Sequence, residues 1–574
     1  MAAFERLVTQ HLDLWTAAIK RRSATGRGSS NKIEFYGTKK LRALILELAV
    51  RGMLVPQDPN DEPASELLKK IAAEKAELVK EGKIKKEKPL PPIVQEHPFG
   101  LPDGWMAVRL GVTIDLISGQ HLGPTEYFDS PELGTIPYLT GPAEFGEQSP
   151  DPTRFTNERR AVAISGDVLL TVKGSGVGKT NLVIHPEIAI SRQLMAIRSI
   201  ATHRPFLEIV LKSLADKFQA QSIGIAIPGI SREDVLESEL ALPPLAEQRR
   251  IAAKVDELMV LCDQLEQLTA ASLVAHHILV ETLLNALTSS ADHARFVSTW
   301  QRIANHFDTL FTTEQSIDQL KQSILQLAVM GKLVPQDPND EPASKLLNKI
   351  ENQKAKLVKE GKIKKAKPLQ PITEGEKPFV LPMGWEWVRL GQVGICATGK
   401  TPSTREPKFF DGDIPFIGPG QITPQGELLS SDKFVSEEGV YESMEAIPND
   451  ILMVCIGGSI GKAAIADKRL AFNQQINSIR PIFISSKYLF IAVSTNNFYE
   501  SVVRVSTGSA TPIINRSKWE ELLIPLSPEL EQQRITTKLD RLMALCDQLK
   551  ACLNSAQTTQ LNLTDAMVEI GGKQ

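Results

Sequence analysis

Leu54–Ser65 reads LVPQDPNDEPAS, and Leu333–Ser344 reads the same twelve letters. Further blocks recur around this one in the same order. Leu78–Lys86 (LVKEGKIKK) returns as Leu357–Lys365, and Gly104-Trp105 with Val108–Gly111 returns as Gly384-Trp385 with Val388–Gly391. Glu247-Gln248 and Arg250-Ile251 return as Glu531-Gln532 and Arg534-Ile535, and Leu261–Leu265 (LCDQL) returns as Leu545–Leu549. Ordered blocks at an offset near 280 mark an internal duplication, not two unrelated domains sharing linkers.

Between the matched blocks the halves diverge. Residues 112–235 and 392–518 share only sparse landmarks: Gly119 with Gly399, Ile136-Pro137 with Ile414-Pro415, Asp167 with Asp450, Gly178-Lys179 with Gly461-Lys462, Gln193 with Gln475. Near-identical frames thus enclose dissimilar inserts. A frame under packing constraint resists change, while a recognition surface is free to vary.

Local patterns give a coarse structure. Leu41–Val50 has helical apolar spacing with Gly52 as its stop. Ala64–Glu81 reads as a charged amphipathic helix ended by Gly82, and Lys83–Pro92 as a basic, proline-stiffened linker. Val168–Lys173 and Ile451–Ile456 read as strands followed by glycine bends, and Phe206–Phe218 as one helix. Each frame closes with a long helix. Ile251, Val255, Leu258, Cys262 and Leu265 step by four and three, as do Ile535, Leu539, Leu542, Cys546 and Leu549. That is a narrow seam of coiled-coil type, and its matched register predicts that the two helices pack on each other. A run of roughly 40 residues would span about 60 Å.

Bulk properties set limits. A chain of 574 residues exceeds one core, and 42% hydrophobic with 23% charged content is ordinary for a globular protein. The cysteines Cys262, Cys396, Cys455, Cys546 and Cys552 form no CxxC pair, which argues against a disulfide framework and fits a reducing cytoplasm. Met1–Leu14 lacks the apolar core of a leader, and no apolar run reads as a membrane span. The net charge of −3 gives a nucleic-acid reading no support from composition.

With the LVPQDPNDEPAS block, the G-W-x-x-V-R-L-G segment and the E-Q-x-R-I helix all duplicated, the chain resembles the specificity subunits of type I restriction–modification systems, with a frame similar to the type IB subclass. The resemblance implies an α+β architecture: two mixed α/β target-recognition domains separated by two long antiparallel coiled-coil helices, with a pseudo-twofold internal repeat. On that basis residues 1–97 are the N-terminal frame and linker, 98–243 the first target-recognition domain, and 244–377 the central frame. Residues 378–526 are the second target-recognition domain and 527–574 the C-terminal helix. The resemblance further implies a non-catalytic subunit of the cytoplasm that binds double-stranded DNA, each domain reading one half of a split, asymmetric site. Readers related by a twofold axis would meet the same groove face about one helical turn apart, roughly 34 Å. Its implied partners are two modification (methyltransferase) subunits and two restriction (helicase–nuclease) subunits. S-adenosylmethionine, ATP and Mg would belong to those partners, with no cofactor and no metal in this chain. A stand-alone DNA-binding protein, a coiled-coil scaffold and an ATP-using enzyme are the rival readings.

The motifs for chemistry fail in detail. Lys173–Thr180 (KGSGVGKT) has Lys173 where a phosphate loop needs its first glycine, and the sister site has Ile456 there and Ala463 after Lys462. No methyltransferase Asn/Asp-Pro-Pro-aromatic loop and no HExxH are present, and His276-His277 reads as a solvated or packing pair and not as a metal site. Lys179 and Lys462, each after a glycine turn, could meet phosphate. For base edges, Arg and Lys suit guanine while Gln and Asn suit adenine. Arg154, Arg192 and Gln193 are the candidates in the first insert, and Thr401, Arg405, Lys408, Gln474, Gln475 and Arg516 in the second. Trp105 and Trp385 read as core. Both inserts are slightly more acidic than basic, so phosphate affinity needs a segregated basic face or a partner.

Overall fold

The computed structural model describes residues 11–22, 32–93, 100–147, 149–222, 228–290, 293–508 and 511–573. Most of Met1–Leu14, and parts of the 1–97, 98–243, 244–377, 378–526 and 527–574 spans, lie outside the described residues. The chain forms two compact units, Met1–Ser272 with Ala556–Gln574, and Leu273–Ser555. Two helices, Leu245–Thr288 of 44 residues and Glu529–Lys573 of 45, cross from one unit to the other in opposite order.

The inserts share one topology. In the first unit a four-stranded sheet runs Ile114–Ser118, Leu194–Ser199, Val168–Thr171, Thr180–Leu182, with every neighbouring pair antiparallel. A second sheet runs Arg154–Thr156, Ile136–Leu139, Glu187–Ile190, Val162–Ile164, with a parallel central pair. The second unit repeats both sheets in the same order: Gly394–Thr398, Ile476–Pro481, Ile451–Val454, Ala463–Ile465, and then Phe434–Val435, Ile414–Ile417, Leu470–Phe472, Glu445–Ala446. A two-stranded ribbon closes each insert, Met106–Arg109 with Glu239–Leu242 and Glu386–Arg389 with Leu523–Leu526.

The strand Val168–Thr171 is buried along its whole length because both of its faces are covered. Val168 and Leu170 pack toward the frame helices, while Leu169 joins Leu139, Ala163 and Ile188 between the two sheets. Ile451–Val454 repeats this, with Ile451 and Met453 on one side and Leu452 and Val454 on the other. A strand buried on both faces reads as a continuous apolar run instead of an alternating one.

The frame helices are Tyr36–Val50 and Ala64–Lys80, repeated as Glu314–Val329 and Ala343–Lys359. Gly52 and Gly331 stop the first of each pair at φ +72° and +67°, a region that favours glycine. A Cβ on Gly52 would also lie 2.9 Å from the Trp105 ring.

Three readings gain detail. The residues read as one helix over Phe206–Phe218 form two, Arg204–Ser213 and Ala215–Gln221, and the break at Leu214 accompanies full burial of Phe218. The seam residues also pack within their own unit. Ile251, Val255, Leu258 and Cys262 join the core holding Leu41, Leu44 and Leu48, and Arg42 and Thr38 bond to Asp263 and Glu266 on the same helix. Ile535, Leu539 and Cys546 join the second unit's core, with Leu542 and Leu549 partly buried against it, while Leu265 is half-buried. Period alone cannot distinguish a partner rod from a frame helix lying across the same stripe. Finally, Leu245–Thr288 contains an 18-residue window that by length and composition alone could cross a membrane, although no apolar run reads as a span in the sequence. All five cysteines are free thiols, and burial pushes Cys262 up to about 11 and Cys455 to about 12, as packing thiols and not nucleophiles.

Candidate nucleic-acid interface

Each insert stands on a joint made from the duplicated motifs. Glu247, at the start of the long helix, accepts from Trp105 Nε1 at 2.9 Å and from Gln57 Nε2 at 3.2 Å. Glu531 accepts from Trp385 at 2.9 Å and from Gln336 at 3.1 Å. Gln248 accepts from the His203 N–H at 2.9 Å and donates to the Pro243 carbonyl, satisfying the mouth of the helix at Arg204. Gln532 does the same for Ser485 and Ser527. Arg250 grips Asp61 of the twelve-letter block, and Arg534 grips Asp340. Lys75 and Lys354 each donate to a backbone carbonyl, Gly111 and Gly391, at 2.6 Å, and burial lowers the pKa of both. Burial pushes the Glu247 and Glu531 carboxyls upward, more than the hydrogen bonds from Trp and Gln pull them down.

The landmarks Asp167 and Asp450 belong to the scaffold. Arg198 Nε and Nη2 bond the Asp167 carboxylate at 2.9 and 2.8 Å, and Arg480 holds Asp450 at the same distances. The glycine turns also have a structural basis. Gly178 sits at φ +88° against the Ala215 backbone, and Gly461 at +87° against the Tyr499 ring. Each turn joins two antiparallel strands, where a phosphate loop would open into a helix.

The turns leave the sheets beside a second loop whose residues differ between the inserts. Where the first presents Ser191-Arg192-Gln193, the second presents Asn473-Gln474-Gln475. The Val172 N–H bonds the Gln193 carbonyl at 2.9 Å, and the Cys455 N–H bonds the Gln475 carbonyl at 2.7 Å, so both loops sit at the same place in the fold. Gly141 makes room for Gln193, since a Cβ there would lie 2.5 Å from its Oε1. A Cβ on Gly176 would lie 3.2 Å from Pro142 and 3.5 Å from the Lys179 side chain, so Lys179, Gln193 and exposed Arg192 share one edge. Arg154 stands apart, 4.7 Å over the Tyr127 ring.

In the second insert Thr401 donates to Gln474 at 2.6 Å, and Asn473 Nδ2 donates to Gln475 at 3.2 Å. Lys462, half-buried, is tied through its carbonyl to Val454, next to Cys455. Lys408 and Arg516 are held by Glu438 at 3.0 Å and Glu520 at 3.1 Å. Arg405 is exposed and, with Lys179 and Arg192, has no carboxylate partner among the described residues. Sequence reasoning missed Asn473, although the Asn-Gln-Gln run is a visible signal. His276 and His277 take separate partners, the Thr309 carbonyl and Gln319.

The model of the type I restriction modification DNA specificity domain matches residues 102–273 and 382–556, one match per insert. The chain belongs to that family. It is 41% identical to the type I restriction enzyme EcoAI specificity subunit of Escherichia coli, over 98% of this chain and 99% of the relative. The EcoEI specificity subunit of Escherichia coli is 39% identical, over 99% of each. A chain of a solved type I R-M system aligns at TM-score 0.47 and 20% identity, covering 83% of this chain and 99% of that one. In this specificity chain each family match begins beside the joint tryptophan and runs into a long helix.

Proposed function

We propose that this chain is the sequence-specific DNA-recognition subunit of a type I restriction–modification complex, non-catalytic in itself. Its two inserts, 98–243 and 378–526, are target-recognition domains that each read one half of a bipartite site. The observation that carries this reading is the loop pair Ser191-Arg192-Gln193 and Asn473-Gln474-Gln475, set at one position of one topology. A guanidinium pairs best with a guanine edge, while carboxamides pair with adenine, so equal scaffolds carrying these loops read different bases. The two halves of the site therefore differ. Arg192, Gln193, Thr401, Arg405, Gln474 and Gln475 form the base-facing set, with Lys179 and Lys462 beside it for phosphate. Arg154, Lys408 and Arg516 are the weaker members, each already held by a ring or a carboxylate.

The chain assembles with the other subunits of its system, two modification and two restriction subunits in the full complex, in the cytoplasm. S-adenosylmethionine, ATP and Mg serve those partners, and this chain selects where they act. Family membership disfavours the stand-alone binder and the scaffold. Methylation mapping in cells carrying this gene with its modification partner tests the reading. The expected result is modified adenines in a bipartite, asymmetric motif. A continuous motif, or one with identical halves, would contradict it.

A further inference from the structure

Residues 98–243 carry 17 acidic against 12 basic side chains, and residues 378–526 carry 15 against 13. Phosphate neutralisation supplies much of the affinity of DNA-binding proteins. Neither insert carries a net positive excess, which turns attention to basic segments that flank the inserts.

Each unit holds a basic strap at the foot of its insert. The linkers read KIKKEKPLPP over 83–92 and KIKKAKPLQP over 362–371. Arg109 pins the first by donating to the Pro91 and Pro92 carbonyls at 3.3 and 3.4 Å, while its other nitrogen bonds the Glu237 carbonyl at 2.7 Å. Arg389 pins the second through the Gln370 and Pro371 carbonyls, both at 3.1 Å, and bonds the Glu521 carbonyl at 2.7 Å. Prolines stiffen both segments. Glu81 and Glu360 engage only the first lysine of each strap, Lys83 and Lys362. Lys85, Lys86 and Lys88, like Lys364, Lys365 and Lys367, are exposed and have no carboxylate partner among the described residues. The one acid inside either strap, Glu87, is taken by Arg232. Arg232 opens the short helix Arg232–Leu236, whose counterpart in the second unit is Arg516–Glu520, so the first strap is tied to its insert through this ion pair as well as through Arg109.

We infer that the two straps are sequence-independent anchors for the DNA phosphate backbone, one per target-recognition domain. This inference rests on the reading of the chain as a DNA-recognition subunit. A lysine on a free linker would lose chain entropy on binding, and a backbone already stapled by arginine removes part of that cost. The straps supply affinity, and the loops of the inserts supply choice.

The test uses the chain assembled with its modification subunits. Two variants, Lys85/Lys86/Lys88→Gln and Lys364/Lys365/Lys367→Gln, are titrated with a target duplex and a scrambled duplex of equal length at several salt concentrations. In both variants the slope of log affinity against log salt should flatten by about 0.9 for each phosphate that is no longer neutralised, for both duplexes. The methylated motif should stay unchanged, and Lys→Arg versions should restore the slope. Wild-type slopes in both Gln variants would overturn the anchors. So would failure to assemble with unchanged slope in the complex that remains, which would assign the straps to an acidic protein surface. If wild type fails to prefer its target while the Gln variants still flatten the slope, the anchors stand and the recognition reading falls.

Discussion

At the joint, Glu247 accepts hydrogen bonds from Trp105 and Gln57, and Glu531 from Trp385 and Gln336, with distances agreeing to about 0.1 Å. At the loop pair Ser191–Gln193 and Asn473–Gln475 the same comparison breaks down. Arg192 projects without a carboxylate partner among the described residues in one half, while in the other Thr401 donates to Gln474 and Asn473 donates to Gln475. The joint is buried and its groups are matched donor to acceptor, so a change in one residue strands another. Arg192 and Gln474 at the loop tips are exposed, where substitution costs little stability and changes the chemistry the surface presents. The duplicated chain therefore keeps two copies of a mount and carries two different instruments.

The largest expected effect comes from breaking the mount. Trp105→Ala and Trp385→Ala should each destabilise their own unit by about 3–5 kcal/mol. The two destabilisations should match, because the Trp–Glu–Gln geometry matches. Hydrogen exchange resolved by unit would measure both. A large effect in one unit beside a negligible one in the other would break the equivalence of the joints.

A smaller effect follows from the buried carboxyls. Glu247 and Glu531 have folded pKa values raised above their ordinary value by burial. The folded chain then binds these protons more tightly than the unfolded chain. Their stabilising contribution is complete at low pH and is lost as pH rises from about 4.5 through the raised value. Glu247→Gln with Glu531→Gln removes that titration. Thermal unfolding of the double variant relative to wild type should shift upward by under about 3 °C as pH climbs from 4 to 7. A downward shift over the same range would show that the hydrogen bonds outweigh burial, and the joint would then stabilise the ionised carboxylate.

Much of this was legible in the sequence because duplication prints constraint directly. Gln57, Asp61, Trp105, Glu247, Gln248 and Arg250 stand in separate blocks, yet the fold gathers them into one joint. The strand Val168–Thr171 and the stop at Gly52 were legible from local chemistry. The contact of this stripe with the frame helix carrying Arg42 was not, since coiled-coil spacing does not tell which further surface a stripe meets. The paired landmarks Asp167 and Asp450 stand out in the inserts as a site would, but their shared feature is an arginine clasp to Arg198 and Arg480, some 30 residues away in sequence. Among the base-reading candidates only chemistry was visible. Which were already held by Glu438, Glu520 or Tyr127 depended on loops brought together by the sheets.

Exchanging the first reader tests the division of labour most directly. Residues 98–243 are replaced with the corresponding insert of a relative of different specificity, the chain is produced with its modification partner, and methylated sites are mapped. The account predicts that one half of the motif changes to the donor's half while the other half and the spacing stay as they were. A motif altered in both halves, or in neither, would contradict it.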